Sequence, residues 1–228
     1  EIVVENILPP ANPKANMGDY GEACRSFSWG EVEKRFSWYQ TGKVNIAYEA
    51  IDRHAEDPVH RDQCCLNFEG ETRSIRISYG QMRELSNRFA NTLRKLDVVK
   101  GDRVLIFLPH CPEYYVAMLG CAKVGAVCGP LFEAMMQATL KERLLDSGAK
   151  VLVTSPRMIT RVLVADLPDL KHIILVGAGG SRLRPGEWSW EAEMSQASSQ
   201  CDLEWVRLED PLYLIYTGST GEPKGIVH

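Results

Sequence analysis

Val104-Leu105-Ile106-Phe107-Leu108-Pro109 is a run of five apolar residues closed by a proline. It lacks the apolar–polar alternation of a half-exposed strand, so it reads as a strand buried on both faces. Pro112 suits the first turn of a helix. That helix is expected to bury Tyr115, Met118, Leu119 and Ala122 and to stop at Gly125. Ala126–Pro130 is the next short strand, which completes a strand–helix–strand unit. Downstream the alternation continues. Leu140, Leu144 and Leu145 mark a helix ending near Gly148, and Val151–Thr154 is a strand. Met158–Val164 is expected to be helical, His172–Val176 a strand, Trp188–Ser198 a weaker helix and Leu212–Tyr216 the last strand. Apolar strands alternating with helices define the α/β class, a parallel sheet layered with helices on both faces. Ligands of such sheets sit beyond the carboxyl ends of the strands.

Upstream the pattern differs. Residues 1–45 are expected to be irregular, because Pro9, Pro10 and Pro13 block regular structure and aromatics (Trp29, Phe36, Trp38, Tyr39) are frequent. These rings are expected to anchor an arm, since Glu31 and Glu33 oppose an RNA-stacking role. Val44–His54, with Ile46, Tyr48 and Ile51, fits a short helix. Cys64–Phe68 and Ser74–Ser78 read as two strands around Glu69-Gly70-Glu71. Ser78 and Gln81 form a capping-box pattern ahead of a helix with Met82, Leu85, Phe89, Leu93 and Leu96 on one face. Lys100-Gly101-Asp102 is the turn after it.

The 228 residues allow one large domain or two small ones, and 45% hydrophobic content is enough for a core. The net charge of −4 is mild, and Arg73, Arg76, Arg83, Arg88, Arg94 and Arg103 are interleaved with acids, as on a solvated helix face rather than a nucleic-acid surface. No apolar run approaches the roughly 18 residues of a membrane span. Glu1-Ile2-Val3-Val4-Glu5 has neither the basic start nor the long apolar region of a signal peptide. Seven cysteines, without C-x-x-C or metal-ligand spacing, fit reduced thiols in a cytoplasmic protein, with Cys121 and Cys128 as small core residues.

The last strand leads into Thr217-Gly218-Ser219-Thr220-Gly221-Glu222-Pro223-Lys224-Gly225. Its glycines leave backbone N–H groups uncovered, its hydroxyls add donors, and Lys224 adds a point charge, all suited to a polyphosphate. A flexible surface loop with a solvated lysine is the alternative. It is not a Walker A loop, which needs glycine directly before lysine. Other candidates are weaker. Gly177 and Gly179 match half of a dinucleotide fingerprint, but position 182 is Arg and no helix is expected to follow, so a surface turn is preferred. No G-x-S-x-G elbow is present. His110-Cys111 looks like a loop, and Glu209-Asp210 like solvated acids.

The string Tyr216 to Gly225 resembles the phosphate loop of the adenylate-forming enzymes, whose form is close to Y-T-S-G-S-T-G-x-P-K-G; here it is one serine shorter. Trp38-Tyr39 with Asn45 and Ile51-Asp52-Arg53-His54 resembles the start of acetyl-CoA synthetases. Ser78-Tyr79, Asn87-Arg88-Phe89-Ala90, Lys100-Gly101-Asp102-Arg103-Val104, Glu113, Ala117–Ala122, Gly125-Ala126-Val127 and Asp146–Val151 extend the resemblance, and Glu209–Leu212 precedes the loop as in that family. The resemblance implies an N-terminal arm over 1–55 and, over 56–228, the first part of the large N-terminal adenylation domain. It implies a ligase that joins a small carboxylic acid to CoA through an acyl-adenylate, with ATP, Mg2+ and CoA as substrates or cofactors. Thr217, Gly218, Ser219, Thr220, Gly221 and Lys224 should touch the β- and γ-phosphates. Arg157 and Arg161 fall near the region where acetyl-CoA synthetases contact CoA, but match no motif and read as solvated. The family's Y-G-x-T-E motif, T-G-D hinge and late catalytic lysine do not occur here, so no catalytic residue is expected in this stretch, and alone it should complete neither half-reaction. An adenylate-forming ligase with a carrier-protein acceptor, disfavoured by D-R-H, and a non-catalytic nucleotide-binding module are the alternatives.

Overall fold

The computed structural model describes residues 19–70, 73–180, 182–217 and 224–228. Two compact units divide between Gly42 and Lys43. In the first, α1 (Tyr20–Ser26), α2 (Trp29–Glu33) and α3 (Trp38–Thr41) are short helices with no buried residue. The expected irregularity therefore gives way to helices of one or two turns, with local caps on the first and third. The Asp19 carboxylate accepts from the Glu22 N–H at 2.7 Å, and Gly42 closes α3 at φ +65°. Phe36 stacks on Trp38 at 4.3 Å, and Phe27 meets Trp29 edge-on at 5.0 Å. The prolines at 9, 10 and 13 lie outside the described residues.

The second unit runs in chain order through β1 (Lys43–Val44), a π-helical turn at Tyr48–Asp52 leading into α4 (Arg53–Glu56), β2 (Cys64–Glu69), β3 (Ser74–Ser78), α5 (Tyr79–Lys95), β4 (Arg103–Ile106), α6 (Pro112–Lys123), β5 (Val127–Pro130), α7 (Gln137–Ser147), β6 (Val151–Thr154), β7 (His172–Leu175), β8 (Glu187–Ser189), α8 (Trp190–Gln196), β9 (Val206–Arg207), β10 (Leu214–Tyr216) and β11 (Gly225–Val227). Strands β5-β4-β6-β7-β8 form one sheet in that order, and every pairing in it is parallel. This is the expected α/β architecture.

Strand alternation divides the interior in two. Val104, Ile106, Val151, Val153, Ile174 and Cys128 point to one side, with Phe89 of α5 and Ala117 and Cys121 of α6. Leu105, Phe107, Leu152, Ile173, Leu175 and Val127 point to the other, with Leu140 and Leu144 of α7. The continuous apolar runs thus supply both faces of a sheet covered twice.

The α5 prediction holds in detail. Ser78 Oγ accepts from the Gln81 N–H while Gln81 Oε1 accepts from the Ser78 N–H, and Met82, Phe89 and Leu93 are buried. The expected face of α6 holds at Ala122 and fails elsewhere. Tyr115 is exposed, Met118 and Leu119 are half-buried, and the inner face is Val116, Ala117, Gly120 and Cys121. A helix apolar nearly all round gives periodicity little to choose by, and small residues decide. A Cβ on Gly120 would lie 2.6 Å from Phe89 Cδ1, so α5 and α6 pack too closely for anything larger.

Other expectations shift. Ile46 is exposed, and Asn45, Ala47, Glu49, Ile51 and Asp52 are the buried positions of their segment. Residues 158–164 hold only a 3-10 turn at Ile159–Arg161, with a second at Val164–Asp166. The Trp188–Ser198 segment begins as strand β8 before α8. The arginines are not simply solvated. Arg88 donates to the carbonyls of Met194 and Ala197, and Arg94 to that of Asp202. Arg103 donates from Nε to the Ser147 carbonyl at 2.7 Å and from Nη2 to the Gly148 carbonyl at 2.9 Å, capping the negative end of α7.

Candidate functional site

Strand β10 extends the parallel layer beside β5. Tyr213 and Cys128 form a parallel bridge, and the Cys128 N–H donates to the Leu212 carbonyl at 3.1 Å. The chain then turns back, and β11 pairs antiparallel with β10, matching Tyr216 with Gly225. The sequence reading foresaw the outgoing strand but not the returning one. Thr217 and Lys224 stand at the open end of this hairpin, where the Thr217 N–H donates to the Lys224 carbonyl at 3.2 Å. Both are exposed. Gly218, Ser219, Thr220 and Gly221 lie outside the described residues.

Beyond the carboxyl ends of β4, β5 and β10 lies a cavity of ≈ 220 Å³. Leu108 and His110 enter it from the segment after β4, Phe132 and Met135 from that after β5, Tyr213 from just before β10 and Ile215 from β10 itself. The lining is mainly aliphatic and aromatic, with Tyr114 of α6 against His110 at 5.4 Å between ring centres. Burial pushes the Tyr114 hydroxyl well above its ordinary pKa, which keeps it neutral. Such a wall can hold an apolar or aromatic surface, and among the described residues it includes no lysine or arginine.

Arg157 and Arg161 face a different recess, shared with Glu133, Ala134 and Thr160. Arg157 is largely exposed and pairs with Glu133 at 2.9 Å. Arg161 is better held. Its Nη1 donates to the carbonyls of Glu133 at 2.7 Å and Met135 at 3.0 Å, and its guanidinium lies over the Phe107 ring at 4.8 Å. The solvated reading therefore fits Arg157, whereas Arg161 braces the segment after β5.

The weaker candidates resolve into structure. Gly177 takes φ +77°, and its N–H already donates to Glu191 Oε1 at 2.7 Å, so it is not open to an anion. Cys111 is the N-cap position of α6, and burial raises its thiol to about 11, which suppresses the thiolate a nucleophile needs. Asp210 is no solvated acid. It receives Lys100 Nζ at 2.5 Å and the Arg207 N–H at 2.8 Å, and these bonds lower its carboxyl to about 2. All seven cysteines are free thiols. Among the described residues no group of three or more His, Cys, Asp or Glu side chains is placed to hold a metal, and no helix is long and apolar enough to cross a membrane.

Asp52 of the Asp52-Arg53-His54 stretch has a structural role. Lys123, at the end of α6, has 0% side-chain exposure and places Nζ 2.7 Å and 2.8 Å from the Asp52 oxygens and 2.6 Å from Asn87 Oδ1. All three ammonium donors are thereby taken. Burial raises the Asp52 pKa and lowers that of Lys123, each opposed by the partner's charge. Asn45 Nδ2 donates to the carbonyls of Ala122 and Glu204, both at 2.9 Å. Asn87 Nδ2 donates to the Ser199 carbonyl at 2.8 Å. These bonds join distant segments of the chain. Lys123 was missed in the sequence, although a lone charge ending a run as apolar as Val116–Ala122 was the available signal.

A parallel sheet with helices on both sides, extended beside β5 by a hairpin, places the chain in the layered α/β class. The chain belongs to the family of AMP-binding enzymes, whose sequence profile matches residues 50–228. It is 44% identical over 223 residues to the acetyl-coenzyme A synthetase of Bacillus subtilis (strain 168), covering 97% of this chain and 39% of that protein. It is 33% identical to the acetyl-coenzyme A synthetase of Syntrophobacter fumaroxidans, covering 92% and 36% respectively. Among solved structures, the Brucella canis acyl-CoA synthetase matches with a TM-score of 0.80 at 24% identity, over 92% of this chain and 38% of that one, and shares the fold. The chain thus spans well under half the length of these relatives.

Proposed function

We propose that this chain is the N-terminal part of an AMP-forming carboxylate–CoA ligase, with residues 1–55 as an arm and 56–228 as the first part of the large adenylation domain. The observation that carries the proposal is the hairpin closure by Thr217 and Lys224 at the carboxyl end of a strand parallel to the main sheet. In the first half-reaction an oxygen of a small carboxylate, acetate or another short- or medium-chain acid, attacks the α-phosphorus of ATP. The bond from that phosphorus to pyrophosphate breaks, leaving an acyl-adenylate. In the second, the CoA thiolate attacks the acyl carbon and the bond to AMP breaks, giving the thioester. Thr217, Gly218, Ser219, Thr220, Gly221 and Lys224 bind the β- and γ-phosphates. Fixed N–H donors and a lysine there stabilise charge on the departing pyrophosphate. Mg2+ is carried by the nucleotide's own phosphates, the usual mode for this cation. The segment 1–228 completes neither half-reaction by itself. Seven free thiols fit a reducing cytoplasm.

The test is CoA-dependent AMP formation by the full-length gene product across a panel of carboxylates. Lys224→Ala is expected to lower kcat/KM for ATP by on the order of a hundredfold. Unchanged ATP kinetics in that variant would remove the phosphate-loop assignment.

A further inference from the structure

Tyr216 and Gly225 are the last paired residues before the candidate phosphate loop, and both press on α7. Tyr216 is 5% exposed. Its hydroxyl donates to Asp146 Oδ2 at 2.7 Å, with the Arg143 carbonyl also in reach at 3.2 Å. The Arg143 guanidinium lies over the Tyr216 ring, 5.5 Å from its centre. Arg143 is itself only 7% exposed. It donates from Nη1 to the Thr139 carbonyl at 3.3 Å, and its buried Nε has no hydrogen-bond partner among the described residues. Across the hairpin, a Cβ on Gly225 would stand 3.2 Å from Tyr216 Cε1 and 3.4 Å from Asp146 Oδ2. One helix turn of α7 thus grips the outgoing stem through a ring and a hydroxyl, and stands within contact distance of the returning stem at Gly225.

We propose that Asp146, Arg143 and Tyr216 form a positioning clamp that fixes the hairpin stem and thereby aims Thr217 and Lys224 at the nucleotide's phosphates. The proposal rests on the phosphate-loop reading above. None of the three residues need touch the nucleotide. The bridge to β5 holds the stem only at Tyr213, and a two-stranded hairpin by itself is marginal in water, so its far end at Tyr216 and Gly225 needs a further hold. Burying the Tyr216 hydroxyl commits it to an acceptor, since a buried unpaired hydroxyl is costly. Asp146 supplies that acceptor at one fixed height on α7. The cation over the ring face holds the ring plane.

The test uses the full-length protein and compares Tyr216→Phe, Asp146→Leu, Asp146→Asn and Lys224→Ala for KM of ATP, of CoA and of the carboxylate, together with Tm. Tyr216→Phe keeps the ring and removes only the hydroxyl. It is expected to raise KM for ATP about three- to tenfold, the range of one lost hydrogen bond, with KM for CoA and Tm little changed. Asp146→Leu should match it, the double variant should be no worse than either, and Asp146→Asn, which keeps an acceptor oxygen, should recover the ATP value. Wild-type ATP kinetics in Tyr216→Phe and Asp146→Leu, beside an impaired Lys224→Ala, would overturn the clamp alone. Parallel losses in all substrates and in Tm would reduce it to a general packing contact, and an unimpaired Lys224→Ala would remove the loop reading beneath it.

Discussion

Lys123 Nζ contacts both carboxylate oxygens of Asp52, at 2.7 Å and 2.8 Å, in a place where neither side chain meets solvent to any extent. Removing one member strands the other as a buried charge, which costs about 3–5 kcal/mol. Lys123→Met should therefore lower the unfolding free energy by that order in a urea titration. Lys123→Met combined with Asp52→Leu should be less damaging than the sum of the two, because no orphan charge remains. A single variant as stable as the parent would show that the pair is dispensable.

Gly120 faces Phe89 with no room between them. Gly120→Ala is expected to destabilise by about 1–3 kcal/mol, the usual cost of overpacking. Phe89→Leu in the same chain should return part of that loss. Thermal unfolding of the single and double variants decides it, and additive losses would place the strain elsewhere.

The capping box of α5 is reciprocal, so both halves can be tested. Ser78→Ala should cost about 1 kcal/mol. Gln81→Ala should cost less, because it removes the bond to one exposed N–H. Equal stability of Ser78→Ala and parent in chemical denaturation would contradict the cap.

Asp210 carries the clearest pH signature. Lys100 and the Arg207 backbone lower its carboxyl from 3.8 to about 2. A folded pKa below the unfolded one contributes stability above the unfolded value, and loses it as pH falls through the folded value. The window is therefore from 3.8 down to about 2. Carbon-13 carboxyl titration by NMR should show an Asp210 midpoint near the lower figure, moving up in Lys100→Met. A midpoint at the ordinary aspartate value in the parent would contradict the bonding described.

The central strands and the cap of α5 were legible in the sequence because their causes are local: apolar runs, a proline and an S-x-x-Q pattern. Gly148 likewise announces the end of α7 and takes φ +54° there. What was illegible depends on partners far along the chain. Arg88 looked like a surface arginine until the carbonyls of Met194 and Ala197 came into view. Strand β11 was hard to read because it is only three residues long, and Gly225, Ile226 and Val227 are exposed and owe their conformation to pairing with β10. At the candidate site, the residue types of the loop were readable, since glycine, hydroxyl and lysine chemistry needs no tertiary context. The hold of Asp146 and Arg143 on Tyr216 was not, because about seventy residues separate them.

Leu152 and Val153 are consecutive in the chain, yet they look into different rooms, one shared with Leu140 and the other with Phe89. Evolutionary drift in this unit should follow those rooms rather than the order of the sequence. A change in bulk at Val153 invites compensation near Phe89 and leaves the Leu140 side undisturbed.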